Sequence, residues 1–215
     1  DPFAGLIIVM ALTEAPALDT REAIIMGAFA CFRTYGLRKT TIVDIARKAE
    51  VSRSTVYEYF PDKAAIVEAC AEAASQRFYR NMAKVVNRGE DLEDKLVRAC
   101  VFVTQARRVV QGEKYFDEEE VNLLLTRDSA ALLKECADFI APYLAAGRVT
   151  GEVRKDLDIP QASEWVARIL FSLFNTPSPT IDMSDDEAVA AFARSFLLRG
   201  LAGERPARGR RSAAG

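Results

Sequence analysis

The chain has 215 residues, half of them hydrophobic, with a net charge of -2 and no histidine; that is enough chain for one generous core or two small ones. Without histidine the commonest general base, metal ligand and triad member are missing together, which argues against an enzyme and leaves no cofactor or metal to expect. Cys31, Cys70, Cys100 and Cys136 stand about thirty or more residues apart in apolar-periodic segments, the pattern of buried free thiols in a reducing compartment, with metal ligation as the weaker alternative.

Residues 1–18 are read as an extension: the stretch ahead of Met10 is either a cloning remnant or a short packed helix. Its apolar run Phe3 to Leu12 falls short of the roughly 20 residues that span a bilayer and lacks a basic leader, so the expectation is a cytoplasmic protein with no membrane partner. From Asp19 to Gly200 apolar residues recur at helical spacing and strand-like alternation is scarce, which predicts an all-α fold.

Asp19-x-x-Glu22 resembles a capping box, Ile25, Ala28, Phe29 and Phe32 form one stripe, and Gly36 supplies a stop. A second helix starts at Thr41, capped with Asp44, and carries Ile42, Ile45, Ala46 and Ala49 on one face. It ends in Glu50-Val51-Ser52. Ser52 caps a short third helix on which Val56 and Phe60 lie one turn apart and face inward, and Pro61-Asp62 breaks that helix and begins a longer one.

Two short helices joined by a tight turn on a supporting first helix make a helix-turn-helix, which presents its second element to the DNA major groove. With Val56 and Phe60 inward, helical geometry puts Ser54, Thr55 and Glu58 on the opposite face and Tyr57 and Tyr59 on its flanks. Short polar side chains read base edges and flanking phenols reach phosphates. Arg53 adds a cation beside the positive end of the helix. Competing readings are that Ser52 only caps and that Tyr59 only packs.

Thr40-Thr41-Ile42-Val43-Asp44-Ile45-Ala46, followed by Ala49-Glu50-Val51-Ser52-Arg53-Ser54-Thr55-Val56-Tyr57-Glu58-Tyr59-Phe60-Pro61-Asp62-Lys63, resembles the N-terminal segment of TetR-type transcriptional regulators over about residues 20–67. That resemblance implies a homodimer of all-helical subunits, each with a three-helix DNA-binding head and a variable body holding a small-molecule inducer. It also implies that Thr41, Ser54, Thr55, Tyr57, Tyr59 and Lys63 touch double-stranded operator DNA, Lys63 through a phosphate. Two residues depart from the pattern. Glu50 stands where glycine is usual in such a turn, because glycine tolerates positive φ. Glu58 puts a carboxylate in the groove, where it must accept from cytosine N4 or be repelled by phosphate.

The implied organisation is an extension at 1–18, a DNA-binding domain at 19–65, a ligand-binding and dimerisation domain at 66–200 and a basic tail at 201–215. Charge follows it: residues 19–63 carry eight basic and six acidic side chains, 64–200 seventeen and twenty-two, and 201–215 four and one. A weakly basic head on an acidic body suggests an anionic partner at one end. The tail Arg205 to Arg211 either touches DNA nonspecifically or is disordered.

Body helices are expected over 62–88, 91–111, 117–126, 130–146, 160–175 and 184–199. The acid run Asp117-Glu118-Glu119-Glu120 reads as a solvated first turn. Pro160 suits a first helical position, and Ser184-x-x-Glu187 is another capping box. Phe78, Phe102, Phe116, Phe139 and Tyr143 are candidate cavity-lining residues for a hydrophobic effector, ordinary core being the alternative. From Trp165 to Phe174 apolar residues occupy nearly the whole circumference, which calls for burial on more than one side. The expected dimer face comprises Trp165, Ile169, Leu173, Val189, Phe192 and Phe196 in a four-helix bundle of the last two helices with their symmetry mates; burial within one chain is the alternative. The function expected is a ligand-responsive dimeric regulator, a repressor released from its operator by effector. The rival is a helical small-molecule-binding or scaffold protein whose head no longer binds DNA.

Overall fold

The computed structural model describes residues 19–111 and 129–201, and no residue among them forms a strand. Eight α-helices occupy the described residues: α1 (Thr20–Tyr35), α2 (Ile42–Lys48), α3 (Arg53–Tyr59), α4 (Lys63–Val86), α5 (Leu92–Gln111), α6 (Ser129–Thr150), α7 (Ile159–Asn175) and α8 (Asp186–Phe192). The extension 1–18, the acid run 117–120, the helix expected over 117–126, Phe116 and the tail beyond Leu201 lie outside the described residues. No described helix is long and apolar enough to cross a membrane.

Among the described residues the chain separates into two compact units, 19–84 with 105–111 and 129, and 85–104 with 130–201. In the first, α1 is capped as its sequence demands: the Asp19 carboxylate accepts from Glu22 N–H, and Gly36 closes the helix at φ 80°. Ile24, Ile25, Ala28, Phe29 and Phe32 bury one side of α1 against Ile45, Ala46, Val56 and Phe60. That core continues along α4 through Ile66, Val67 and Cys70 to Ala74, beyond residue 65. The first three turns of α4 are therefore part of the head's interior. Burying such side chains supplies about 1.5–3 kcal/mol each for the larger ones, which holds helices far too short to persist alone.

Four sequence expectations change in the second unit, one through a tertiary contact and two through a neighbouring aspartate that takes the cap. Gly147 was expected to lie just past the end of α6, yet the helix runs on to Thr150. A side chain there would meet Leu92 Cδ2 at 2.7 Å and Val153 Cγ2 at 3.0 Å, so Gly147 serves a close approach and Gly151, at φ 84°, takes the left-handed conformation after the helix. α7 is capped by Asp158, whose carboxylate accepts from Gln161 N–H at 2.9 Å, and Pro160 falls one residue inside the helix start. The Ser184 hydroxyl is bonded to Asp182; Asp185 caps α8 instead, accepting from Glu187 N–H. After seven residues α8 loosens into a π-helical turn (Ala193–Leu197) and tightens into a 3-10 turn (Leu198–Gly200), where one continuous helix was expected.

Burial also divides the expected dimer face. Leu173 and Val189 are buried inside their own subunit, Leu173 on the α7 stripe with Val166 and Leu170, Val189 with Ala190, Ala193 and Leu197. Leu173 keeps 6% of its surface exposed and Val189 1%. Trp165 keeps 39% of its surface exposed and Phe196 68%, while Ile169 and Phe192 are half-buried. The Phe192 and Phe196 ring centroids lie 5.2 Å apart, and Trp165 Cη2 stands 3.9 Å from where a Cβ on Gly200 would be.

Candidate nucleic-acid interface

The polar face of α3 is built from the turn that precedes it. Thr41 and Asp44 close a reciprocal capping box on α2: Thr41 Oγ1 accepts from Asp44 N–H at 3.2 Å, and Asp44 accepts from Thr41 N–H at 3.0 Å. The Thr41 hydroxyl also donates to the same carboxylate, and this bond holds Asp44 below its ordinary pKa. Phosphate oxygens need donors, so Thr41, although exposed, has committed its only side-chain hydrogen within the cap. Thr34, Tyr35, Lys39 and Asp44 line an open cleft of about 270 Å³.

α2 ends in a Schellman arrangement, with Val51 N–H donating to Ala46 O at 3.0 Å and Glu50 N–H to Arg47 O at 3.3 Å. Glu50 occupies the left-handed position at φ 57°, the single non-glycine residue with positive φ among those described. The turn thus keeps the shape glycine favours, at a cost on the order of 1 kcal/mol. Gly27 in α1 lies directly against the end of α2. A Cβ on it would stand 3.0 Å from Ala49 N and 3.2 Å from Ile45 O, so α1 touches the α2 terminus backbone to backbone.

Ser52 begins α3 from an extended conformation, its hydroxyl accepting from Thr55 N–H at 3.0 Å. Val56 is fully buried and Phe60 nearly so, at 4% exposure, with the Arg21 guanidinium 5.3 Å above the Phe60 ring. These two anchors turn Ser54, Tyr57, Glu58 and Tyr59 to solvent, as helical geometry requires, and leave Thr55 half-buried. Ser52 Oγ lies 2.7 Å from Ser54 Oγ and 2.9 Å from Thr55 Oγ1, which joins three hydroxyls at the start of the reading face. Arg53 lays its guanidinium over the Tyr57 ring at 5.4 Å and reaches the phenol oxygen at 3.4 Å. The stack holds a cation and a phenol together on one flank. Tyr59 is 46% exposed on the other.

Lys63 opens α4 behind this face. Its ammonium donates to Leu37 O at 2.6 Å, and burial pushes its pKa down. It retains two further hydrogens for an anion, but its bond to the α1–α2 loop also makes it a strut of the head. Sequence reasoning placed Ser52 as a cap without its links to Ser54 and Thr55. Three hydroxyls within four residues at a helix start were the available cue.

The effector candidates are more dispersed. Phe78, Phe102, Phe139 and Tyr143 are all half-buried. Phe139 and Tyr143 pair at 5.5 Å between ring centroids, and the Tyr143 phenol donates to Asn87 Oδ1 at 3.1 Å; burial raises the Tyr143 pKa. Phe78 stacks edge-on to Tyr79 at 5.4 Å in the other compact unit.

Residues 24–70 match the family model described as bacterial regulatory proteins, tetR family. The chain is 25% identical to a probable HTH-type transcriptional regulator, ArpR, of Pseudomonas putida over 70% of this chain and 76% of that protein. It is 45% identical to the probable acrEF/envCD operon repressor of Escherichia coli over 24% of this chain and 23% of that one, a match confined to a head-sized segment. In structure it is like a TetR-family transcriptional regulator of Mesorhizobium loti, with a TM-score of 0.59 and 17% identity over 88% of this chain and 100% of the other; that is a likeness of fold.

Proposed function

We propose that the chain, whose residues 24–70 match the tetR family model, is a ligand-responsive transcriptional regulator of that type that works as a homodimeric repressor reading a two-fold symmetric operator through α3. The observation that carries this reading is the orientation of α3. Val56 and Phe60 anchor one side in the core, and the other side offers Ser54, Thr55, Tyr57, Glu58 and Tyr59 as one polar strip. Ser54, Thr55 and Glu58 then read base edges, while Arg53, Tyr57, Tyr59 and Lys63 hold phosphates. Glu50, Glu58 and the modest charge of the head are the motives for the rival, a head that no longer binds DNA; Glu50 keeps the turn's geometry in spite of its side chain, which removes the first of the three.

In this reading 19–65 supplies the DNA contacts, and the residues from 66 to 200 supply the dimer and the effector site. The exposed Trp165 and Phe196, with Ile169 and Phe192 beside them in sequence, form the dimer contact. A hydrophobic effector fits the aromatic candidates Phe102, Phe139 and Tyr143. α4 transmits its binding, because a single helix starts beside α3, shares the head's core to Ala74 and runs on to Val86. A displaced α4 changes the separation of two recognition helices, which must match half-sites about one DNA turn or a multiple apart. Such coupling is typically about 1–3 kcal/mol and reciprocal, so DNA weakens effector binding by the factor with which effector weakens DNA binding.

The test is selection from a pool of random duplexes by the purified chain, with sequencing of the bound fraction. A repressor of this kind enriches one sequence with two-fold symmetry. Failure to enrich, or enrichment of an asymmetric site at one protomer per duplex, contradicts the reading.

A further inference from the structure

A hydroxyl carries one hydrogen and two lone pairs, and at Ser52 every one of these has a claimant. Thr55 N–H, at 3.0 Å, takes one lone pair. The remaining lone pair and the single hydrogen are left for two neighbours, Ser54 Oγ at 2.7 Å and Thr55 Oγ1 at 2.9 Å. One neighbour must therefore donate to Ser52 while the other accepts from it. The neighbour that donates faces outward with lone pairs alone. The neighbour that accepts keeps its own hydrogen free.

We propose that Ser52 is a positioning residue that joins Ser54 and Thr55 into one coupled reading, in which one hydroxyl donates to DNA whenever the other accepts. This rests on α3 being the reading helix. A hydroxyl in the accepting state suits adenine N6 or cytosine N4, and one in the donating state suits guanine O6 or N7, thymine O4 or a phosphate oxygen. Two combinations are allowed, Ser54 donor with Thr55 acceptor and the reverse. Donor with donor, or acceptor with acceptor, breaks a bond inside the triad. A base change under one hydroxyl thus changes which base is best under the other, and operator preferences at those two positions are not independent. Ser52 touches no base in this scheme.

The experiment uses the full chain and the duplex it selects from a random pool. Ser54→Ala and Thr55→Ala identify the two base positions each hydroxyl affects, and affinities are then measured for single and double base changes at those positions. The parent should show non-additivity of about three- to thirtyfold, within the range seen for directly coupled groups. Ser52→Thr keeps both cap and hydroxyl and should preserve it. Ser52→Asp keeps the cap, since aspartate caps as well as serine, but offers only lone pairs, so both hydroxyls donate to it. Its coupling should vanish and its preference move toward cytosine or adenine at both positions; the added charge lowers all affinities alike and leaves the profile free of that effect. Additive base changes in the parent, an unchanged profile in Ser54→Ala and Thr55→Ala, or parental coupling in Ser52→Asp each overturn the proposal. A parent that selects a duplex but reads it additively leaves the function standing and removes only the coupling. One that selects no duplex removes both.

Discussion

Two exposed faces of this chain offer opposite chemistry. The face of α3 is polar and directional: hydroxyls, phenols and a carboxylate stand on seven residues held by two buried anchors, and its hydrogen bonds are set within the turn itself. The face carried by Trp165 and Phe196 is apolar and lies on or after helices whose other sides are already buried. A directional face discriminates among partners by unpaired donors and acceptors, whereas an apolar face rewards whatever excludes water from it. The first therefore suits base sequence and the second suits another copy of the chain. Substitutions that exchange the two characters are the sharpest way to test that division.

The largest effect is expected from Phe196→Arg. Because Phe196 is already 68% exposed, the subunit folds, but the dimer contact gains a charge without a partner. Light scattering should report monomers, and operator affinity should fall by about a hundredfold or more as the two half-sites lose their linkage. A dimer of parental affinity would place the contact elsewhere. Next, Val56→Ala removes methyl groups from the fully buried anchor of α3 and should cost about 2 kcal/mol in denaturant unfolding. Loss of base discrimination without loss of stability would mean that Val56 is not an anchor.

On the reading face itself, Glu58→Ala should change which base is preferred at one position, by about 1–3 kcal/mol, and Tyr59→Phe should weaken all operator variants alike. A panel of single-base variants measures both, and identical profiles for Glu58→Ala and the parent remove the base-reading role. Glu50→Gly should raise stability by about 1 kcal/mol by relieving the left-handed backbone at φ 57°, with an unaltered preference profile. The smallest effect is in acid. Asp44 has its folded pKa lowered, chiefly by the Thr41 hydroxyl, so its contribution is present above the unfolded value and is lost as pH falls through the folded one. Asp44→Asn should flatten that acid limb, as thermal melts across the carboxylate range would show.

The two faces also differ in how far they could be read in advance. Around α3 the determinants are local: Asp19, Thr41 and Ser52 cap the helices on which they border, Gly36 stops α1, and Val56 and Phe60 fix the outward side by spacing alone. Exposure and orientation followed from those rules except at Thr55, which is half-buried. What did not follow was the use made of each hydroxyl, since the choice of Asp44 by Thr41 and of Ser54 and Thr55 by Ser52 depends on ångström-scale approach. In the C-terminal region the cues were ambiguous because partners distant in sequence, or a choice among adjacent aspartates, decide them. Gly147 resembles a helix stop but is small because Leu92 presses on it. Leu173 and Val189 share the apolar pattern of Trp165 and Phe196, and only tertiary packing separates the buried pair from the exposed one. Ser184 lost the cap to Asp185 because Asp182 holds its hydroxyl.

Salt dependence of duplex binding tests the central claim most directly. For the selected operator and for an unrelated duplex of equal length, the logarithm of affinity should fall steeply and linearly with the logarithm of salt concentration, with a slope of about -0.9 for each phosphate neutralised. At physiological salt the operator should be preferred by at least about a thousandfold. Near-equal affinities for the two duplexes, or binding indifferent to salt, would contradict the account of α3 as a sequence-reading helix.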